Sequence, residues 1–148
     1  MRQRLDWVLL AYRLPREPST PRISVWRKLR RLGVVQLVDG LVALPADART
    51  KEQLEWIADG VLEAGGEATV WVGRPGSRGD ERRLAWRMTV AVAEEYRAVV
   101  ADADEALRGG GAVDRRTLAR LVRELGRIDR RDFFPPPERD EAHALVRR

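Results

Sequence analysis

The chain has 148 residues, 44% of them apolar and 34% charged, with a formal net charge of +5 and no cysteine. That length holds one domain with room for a small appendage, and such a chain buries about 70% of the surface its unfolded form exposes, which argues against overall disorder. The missing cysteines exclude a disulfide scaffold, a thiolate nucleophile and a Cys-ligated zinc or iron–sulfur centre, and the single histidine, His143, leaves carboxylates as the only ligand set for a metal.

The first element is the apolar run Trp7–Tyr12, ended by Arg13-Leu14-Pro15, which predicts a central strand buried on both faces. It is too short for a signal-peptide core or a membrane span, so a soluble, cytoplasmic protein without membrane attachment is expected. A Pro15–Pro18 loop follows. Thr20 as N-cap and Pro21 at the first helical position then predict a helix over 21–32, stopped by Gly33. On that helix Val25, Trp26, Leu29 and Leu32 share one side, while Arg27, Lys28, Arg30 and Arg31 occupy the other.

Val34–Val38 and Leu41–Pro45 flank Asp39-Gly40, a hairpin signal. Thr50 with Gln53 three residues on reads as a capping box, opening a helix with Leu54, Ile57, Ala58, Val61 and Leu62 on one face and ending at Gly65-Gly66. Ala68–Val72 predicts a fourth strand, and Gly73–Gly79 reads as a linker, since it lacks the Gly-Lys-Ser/Thr ending of a phosphate loop. The order β-α-β-β-α-β is that of α+β ferredoxin-like folds, with both helices on one face of an antiparallel sheet over residues 1–73.

Over residues 80–148, Leu84, Met88, Val92, Tyr96, Val99, Ala103 and Leu107 mark a long helix ended by Gly109-Gly110-Gly111. Asp114 caps a second helix with Leu118, Leu121, Val122, Leu125 and Ile128 inside. Together they predict an α-helical hairpin that the Pro-rich strap Arg130–Glu138 packs on, followed by a short terminal helix.

The positive charge is uneven. Residues 1–33 carry nine basic and two acidic groups, a local +7 that counts Arg2 and Arg4, and the remainder of the chain carries −2. The cations Arg27, Lys28, Arg30 and Arg31 of the first predicted helix are therefore candidate phosphate contacts, with a solvated helix face as the alternative. Arg13, Arg16 and Arg22 gather where the first strand meets the first helix and are candidates for holding an oxyanion such as sulfate or a phosphate, the alternative being that Arg22 stacks on Trp26 and the others pair with Glu17 or later carboxylates. Most of the tryptophans Trp7, Trp26, Trp56, Trp71 and Trp86 are expected in the core rather than as base-stacking platforms. Clusters such as Glu94-Glu95 and Asp102, Asp104, Glu105 read as solvated helix faces, no catalytic constellation emerges and no cofactor is expected.

Leu14-Pro-Arg-Glu-Pro-Ser-Thr-Pro-Arg22, Val25-Trp-Arg-Lys-Leu29, Leu32-Gly33, Ala43-Leu-Pro45, Gln53-Leu-Glu-Trp56, Gly65-Gly66 and Ile128-Asp-Arg-Arg-Asp-Phe-Phe-Pro-Pro-Pro137 together resemble the N-terminal domain of ChrB, the chromate-resistance regulator. More distantly, the β-α-β-β-α-β portion is similar to the middle domain of PaaX-type repressors and to small CRISPR-associated ferredoxin-like nucleases. The first resemblance implies chromate resistance and transcriptional regulation through DNA or an oxyanion, without catalysis. ChrB carries a further C-terminal domain, so the expectation is the N-terminal module alone. The nuclease relatives carry a metal-holding aspartate after the first strand, where this chain has Tyr12-Arg13-Leu14, which leaves a metal-dependent nuclease without its centre. A non-enzymatic interaction module that forms a homodimer through a sheet edge is the alternative of a different class.

Overall fold

The computed structural model describes residues 4–109 and 111–147. Arg2, counted above in the basic stretch, and Gly110 of the triglycine lie outside the described residues. The elements run β1 (Trp7–Arg13), α1 (Thr20–Leu32), β2 (Val35–Val38), β3 (Leu41–Pro45), α2 (Ala48–Glu63), β4 (Glu67–Gly73), α3 (Arg78–Arg108), α4 (Arg115–Arg130) and α5 (Glu138–Val146). They fall into two compact units, Met1–Leu84 and Ala85–Arg148.

In the first unit a four-stranded antiparallel sheet has the order β2-β3-β1-β4, the ferredoxin-like arrangement. Register places Val8 and Leu10 of β1 beside Leu44 and Val42 of β3 on one face, and all four are buried. The buried stripes of α1 (Val25, Leu29) and α2 (Leu54, Ile57, Ala58, Val61) supply the apolar partners of that layer. Each such fully buried aliphatic side chain contributes about 1.5–3 kcal/mol. The other face carries Trp7, Leu9 and Ala11 of β1 with Ala43 of β3 and Trp71 of β4.

Local signals are displaced by a residue or more from the sequence expectation. α1 begins at Thr20 after Ser19, which makes no side-chain cap bond, so the start rests on Pro21 in the first turn. Gly33 ends the helix in the left-handed conformation at φ 83°. α2 starts earlier than the Thr50–Gln53 pattern implies: Asp47 is its N-cap and Thr50, the third helical residue, closes the box. Thr50 N donates to Asp47 Oδ1 at 2.8 Å, Asp47 N donates to Thr50 Oγ1 at 2.9 Å, and Thr50 Oγ1 donates to Pro45 O at 2.7 Å. The hydroxyl therefore ties the end of β3 to the start of α2 from a fully buried position. The expected linker is shorter than read, because α3 already begins at Arg78. Glu81 in its first turns accepts from Leu5 N at 3.0 Å and from Trp7 Nε1 at 3.2 Å, which holds that turn to β1.

In the second unit Val92, Tyr96, Val99 and Ala103 of α3 pack with Leu121, Leu125 and Ile128 of α4 and with Ala142 and Val146 of α5. Asp114 caps α4 as expected, accepting from Thr117 N at 2.6 Å, and this backbone hydrogen bond lowers its pKa. Two of the residues expected inside, Leu118 and Val122, are exposed instead, as is Leu107 at the end of α3. The strap is anchored within this unit where Thr89 Oγ1 donates to Phe134 O at 3.0 Å.

Four of the five tryptophans overturn the core expectation. Trp7 is 1% exposed, whereas Trp26, Trp56, Trp71 and Trp86 are 36%, 79%, 62% and 67% exposed. The reason is positional. Trp56 and Trp86 sit just off the buried stripes of their helices, and Trp71 lies on an edge strand with no buried residue.

Candidate nucleic-acid and anion interface

α1 is built from thirteen residues that include five cations, Arg22, Arg27, Lys28, Arg30 and Arg31, and no acid. Val25 and Leu29 fix which side is buried, so the 100° step turns Arg27, Arg30 and Arg31 outward, and Lys28 lies on the flank nearer α2. All five are exposed. None takes part in an ion pair among the described residues. Arg30 and Arg31 also sit in the last turn, where the helix dipole favours positive charge.

The flank of α1 facing the β2–β3 hairpin opens a cleft of about 670 Å³ lined by Tyr12, Arg13, Ser19, Arg22, Trp26 and Asp39, among others. Its floor is set by the hairpin turn. Tyr12 N donates to Gly40 O at 2.8 Å, and Gly40 has φ +79° with Tyr12 O only 2.6 Å from where a Cβ would stand. Among the described residues no non-glycine has positive φ, so the Asp39-Gly40 turn is not the doubly left-handed type that its sequence favours. A register shift between Gln36 and Val38 accompanies it. Gln36 Nε2 donates to Asp39 Oδ1 at 3.2 Å and holds that carboxylate at the cleft. Burial pushes the Tyr12 phenol above its ordinary pKa, Asp39 adds to the rise and Arg22 opposes it, which puts both charges within electrostatic reach of the ring.

The three loop arginines separate. Arg22 and Arg13 line the cleft, but Arg13 pairs with Glu67 at 3.1 Å, and Arg16 is not among the lining residues. Pairing of Arg13 with a later carboxylate is the alternative weighed above. The cleft residues Gln36 and Asp39 are not signalled by the sequence, where the Asp-Gly pair reads only as a turn.

A second, smaller groove of about 290 Å³ lies between α1 and α2, with Ser24 and Lys28 on one side and Trp56, Asp59 and Glu63 on the other. Its mixed charge sets it apart from the outward α1 face. Among the described residues no group of three or more His, Asp or Glu side chains is placed to hold a metal ion, and no helix is long and apolar enough to cross a membrane.

A four-stranded β2-β3-β1-β4 sheet with two helices between its strands, one of them wholly basic in charge, makes this a ferredoxin-like α+β protein. Within that class the chain belongs to the ChrB N-terminal family: the family model described as "Protein ChrB, N-terminal" matches residues 22–108, a stretch that opens at α1 and ends with α3. The chain is also 29% identical over 133 residues to "Protein ChrB" of Cupriavidus metallidurans, a match covering 87% of this chain and 40% of that relative. It thus spans less than half the length of the curated relative it matches. No solved structure matches the chain.

Proposed function

We propose that this chain is the DNA-contacting regulatory module of a cytoplasmic chromate-resistance protein, with Arg27, Lys28, Arg30 and Arg31 as phosphate contacts. The observation that carries it is the composition of α1: five exposed cations, no acid and no ion pair among the described residues. Kinship with ChrB supports the chromate-resistance setting. In this reading the module binds and does not catalyse. Contacts of this kind go to the phosphate backbone, so they set affinity rather than sequence preference.

The cleft beside α1 is the effector site in the same reading. Arg22 supplies a guanidinium suited to two parallel hydrogen bonds to a tetrahedral oxyanion such as chromate or sulfate, and Ser19 at the helix start adds a hydroxyl on the same wall.

The test is a salt series of DNA binding with Arg27→Glu and Arg31→Glu. The logarithm of affinity falls with the logarithm of salt by roughly 0.9 per neutralised phosphate. The paired substitution is expected to weaken binding alike for every sequence and to lower that slope by about two. Absence of DNA binding by the unaltered chain at low salt overturns the proposal. For the effector site, Arg22→Gln is expected to abolish any calorimetric heat of chromate binding while leaving the DNA salt slope nearly unchanged.

A further inference from the structure

The two edges of the sheet are built differently. β2 has four residues and a register shift between Gln36 and Val38, and short, bulged edges resist addition of another strand. β4 has seven residues, pairs with β1 without a shift along its whole length, and contains neither proline nor lysine. None of its residues is buried, and among the described residues no strand pairs with its outer side. An uninterrupted open edge of this length is a template for a further strand.

We propose that β4 pairs with β4 of a second copy of this chain, antiparallel about a twofold axis through Val70. The sequence Glu67-Ala-Thr-Val-Trp-Val-Gly73 is self-complementary in that register. Val70 meets Val70, Ala68 meets Val72, and Thr69 meets Trp71 twice. Within one chain Trp71 Nε1 already donates to Thr69 Oγ1 at 2.8 Å, and aromatic–Thr neighbours across strands stabilise a ladder. Charge selects the antiparallel direction. The strand begins with Glu67 and is followed by Arg74, so self-pairing brings each Glu67 beside Arg74 of the second copy, whereas a parallel pair sets like charges together. Both residues are well exposed in their present ion pairs with Arg13 and Asp6. The product is an eight-stranded sheet of order β2-β3-β1-β4-β4-β1-β3-β2. Its axis is perpendicular to the sheet, so both copies present α1 and α2 on the same side.

The absence of cysteine supplies the test. Val70→Cys places one thiol per chain on the axis, where opposed Cα atoms about 4.5–5.5 Å apart lie within disulfide range. Mild oxidation is expected to yield a covalent dimer, while Val38→Cys on the exposed β2 edge stays monomeric on a non-reducing gel. In sedimentation equilibrium of the full chain, Trp71→Lys is expected to weaken association at least about tenfold with an unchanged circular dichroism spectrum. A monomeric unaltered chain, a dimer indifferent to Trp71→Lys, or equal cross-linking through Val38→Cys overturns the proposal. Strand addition by a protein of another sequence would show as the first of these. DNA affinity of the monomeric Trp71→Lys chain reports on the α1 face separately, so the two proposals fail independently.

Discussion

The Tyr96 hydroxyl lies 2.9 Å from Asp129 Oδ1 and 2.8 Å from Asp132 Oδ2. A phenol has one proton to donate, so the two carboxyls share the Tyr96 hydroxyl as donor. Of the two carboxyls, Asp132 is the one whose pKa is raised. Burial raises the Asp132 pKa, and its Oδ1 has no hydrogen-bond partner. Asp129 is buried too, but hydrogen bonds from His143 and Tyr96 outweigh that and keep its pKa below the ordinary value, with the charges of His143 and Arg139 assisting. His143 Nε2 stands 3.0 Å from Asp129, and Arg139 Nε 3.6 Å from it.

The second unit is expected to lose stability in alkali because of this cluster. Burial, followed by the hydrogen bonds to Asp132 and Asp129, pushes the Tyr96 pKa far above its ordinary value. A folded pKa above the unfolded one means that the contribution is complete below the unfolded value of about 10 and is lost as pH rises beyond it. Denaturation followed by circular dichroism at 222 nm in a pH series is expected to show this decline in the unaltered chain. Tyr96→Phe should lower stability near neutrality by about 1 kcal/mol, the net worth of a typical hydrogen bond, and remove this residue's part of the alkaline loss. An alkaline decline of undiminished size in Tyr96→Phe would show that another group causes it.

Gly40→Ala should destabilise the first unit. The left-handed backbone costs an L-residue roughly 1–2 kcal/mol, and the new methyl would meet Tyr12 O at 2.6 Å. A fall in Tm of roughly 4–8 °C per kcal/mol is expected for a unit of this size, measured by calorimetry. Because Gly40 and Tyr12 both line the cleft, anion binding should weaken with it, whereas the salt slope of DNA binding should not move.

Thr50→Val keeps the shape of the side chain and removes one hydroxyl. Pro45 O and Asp47 N lose their partner in a part-buried setting, at a cost of about 1–3 kcal/mol. Asp47→Ala removes the other half of the box from an exposed position and should cost less, about 1 kcal/mol. Urea unfolding curves of the two variants give the comparison. An equal loss for both would mean that the cap, and not the bond to Pro45, fixes the start of α2.

The fold was legible wherever one apolar period dominated. The β-α-β-β-α-β order follows from Trp7–Tyr12, the Asp39-Gly40 pair and the Leu54–Val61 stripe, and the strand order then follows from crossover handedness. Boundaries shifted where a contact outside the simple local pattern decides them. Asp47 caps α2 because Thr50 can also reach Pro45, and α3 starts early because Glu81 binds Leu5 and Trp7 of a distant strand. The basic face of α1 was readable because periodicity alone places it. The cleft was not, since Gln36 and Asp39 reach Arg22 and Tyr12 only through the hairpin's path. The Tyr96 cluster stayed hidden for the same reason: its five polar members come from α3, α4, the strap and α5, and only Tyr96 lies on an apolar stripe.

The uneven placement of the tryptophans governs how this protein reports on itself. Trp7 is the one indole among the five held away from water, and its Nε1 donates to Glu81. The native chain should therefore emit with a long-wavelength maximum resembling that of an unfolded protein, and melting of the first unit should register only as the loss of a blue shoulder from Trp7. Trp86 is the sole indole beyond Leu84, and it is already in water, so tryptophan emission is nearly blind to unfolding of the helical unit. Tyr96 absorbance near 295 nm, where ionised phenol absorbs, is the optical signal that belongs to that half of the molecule.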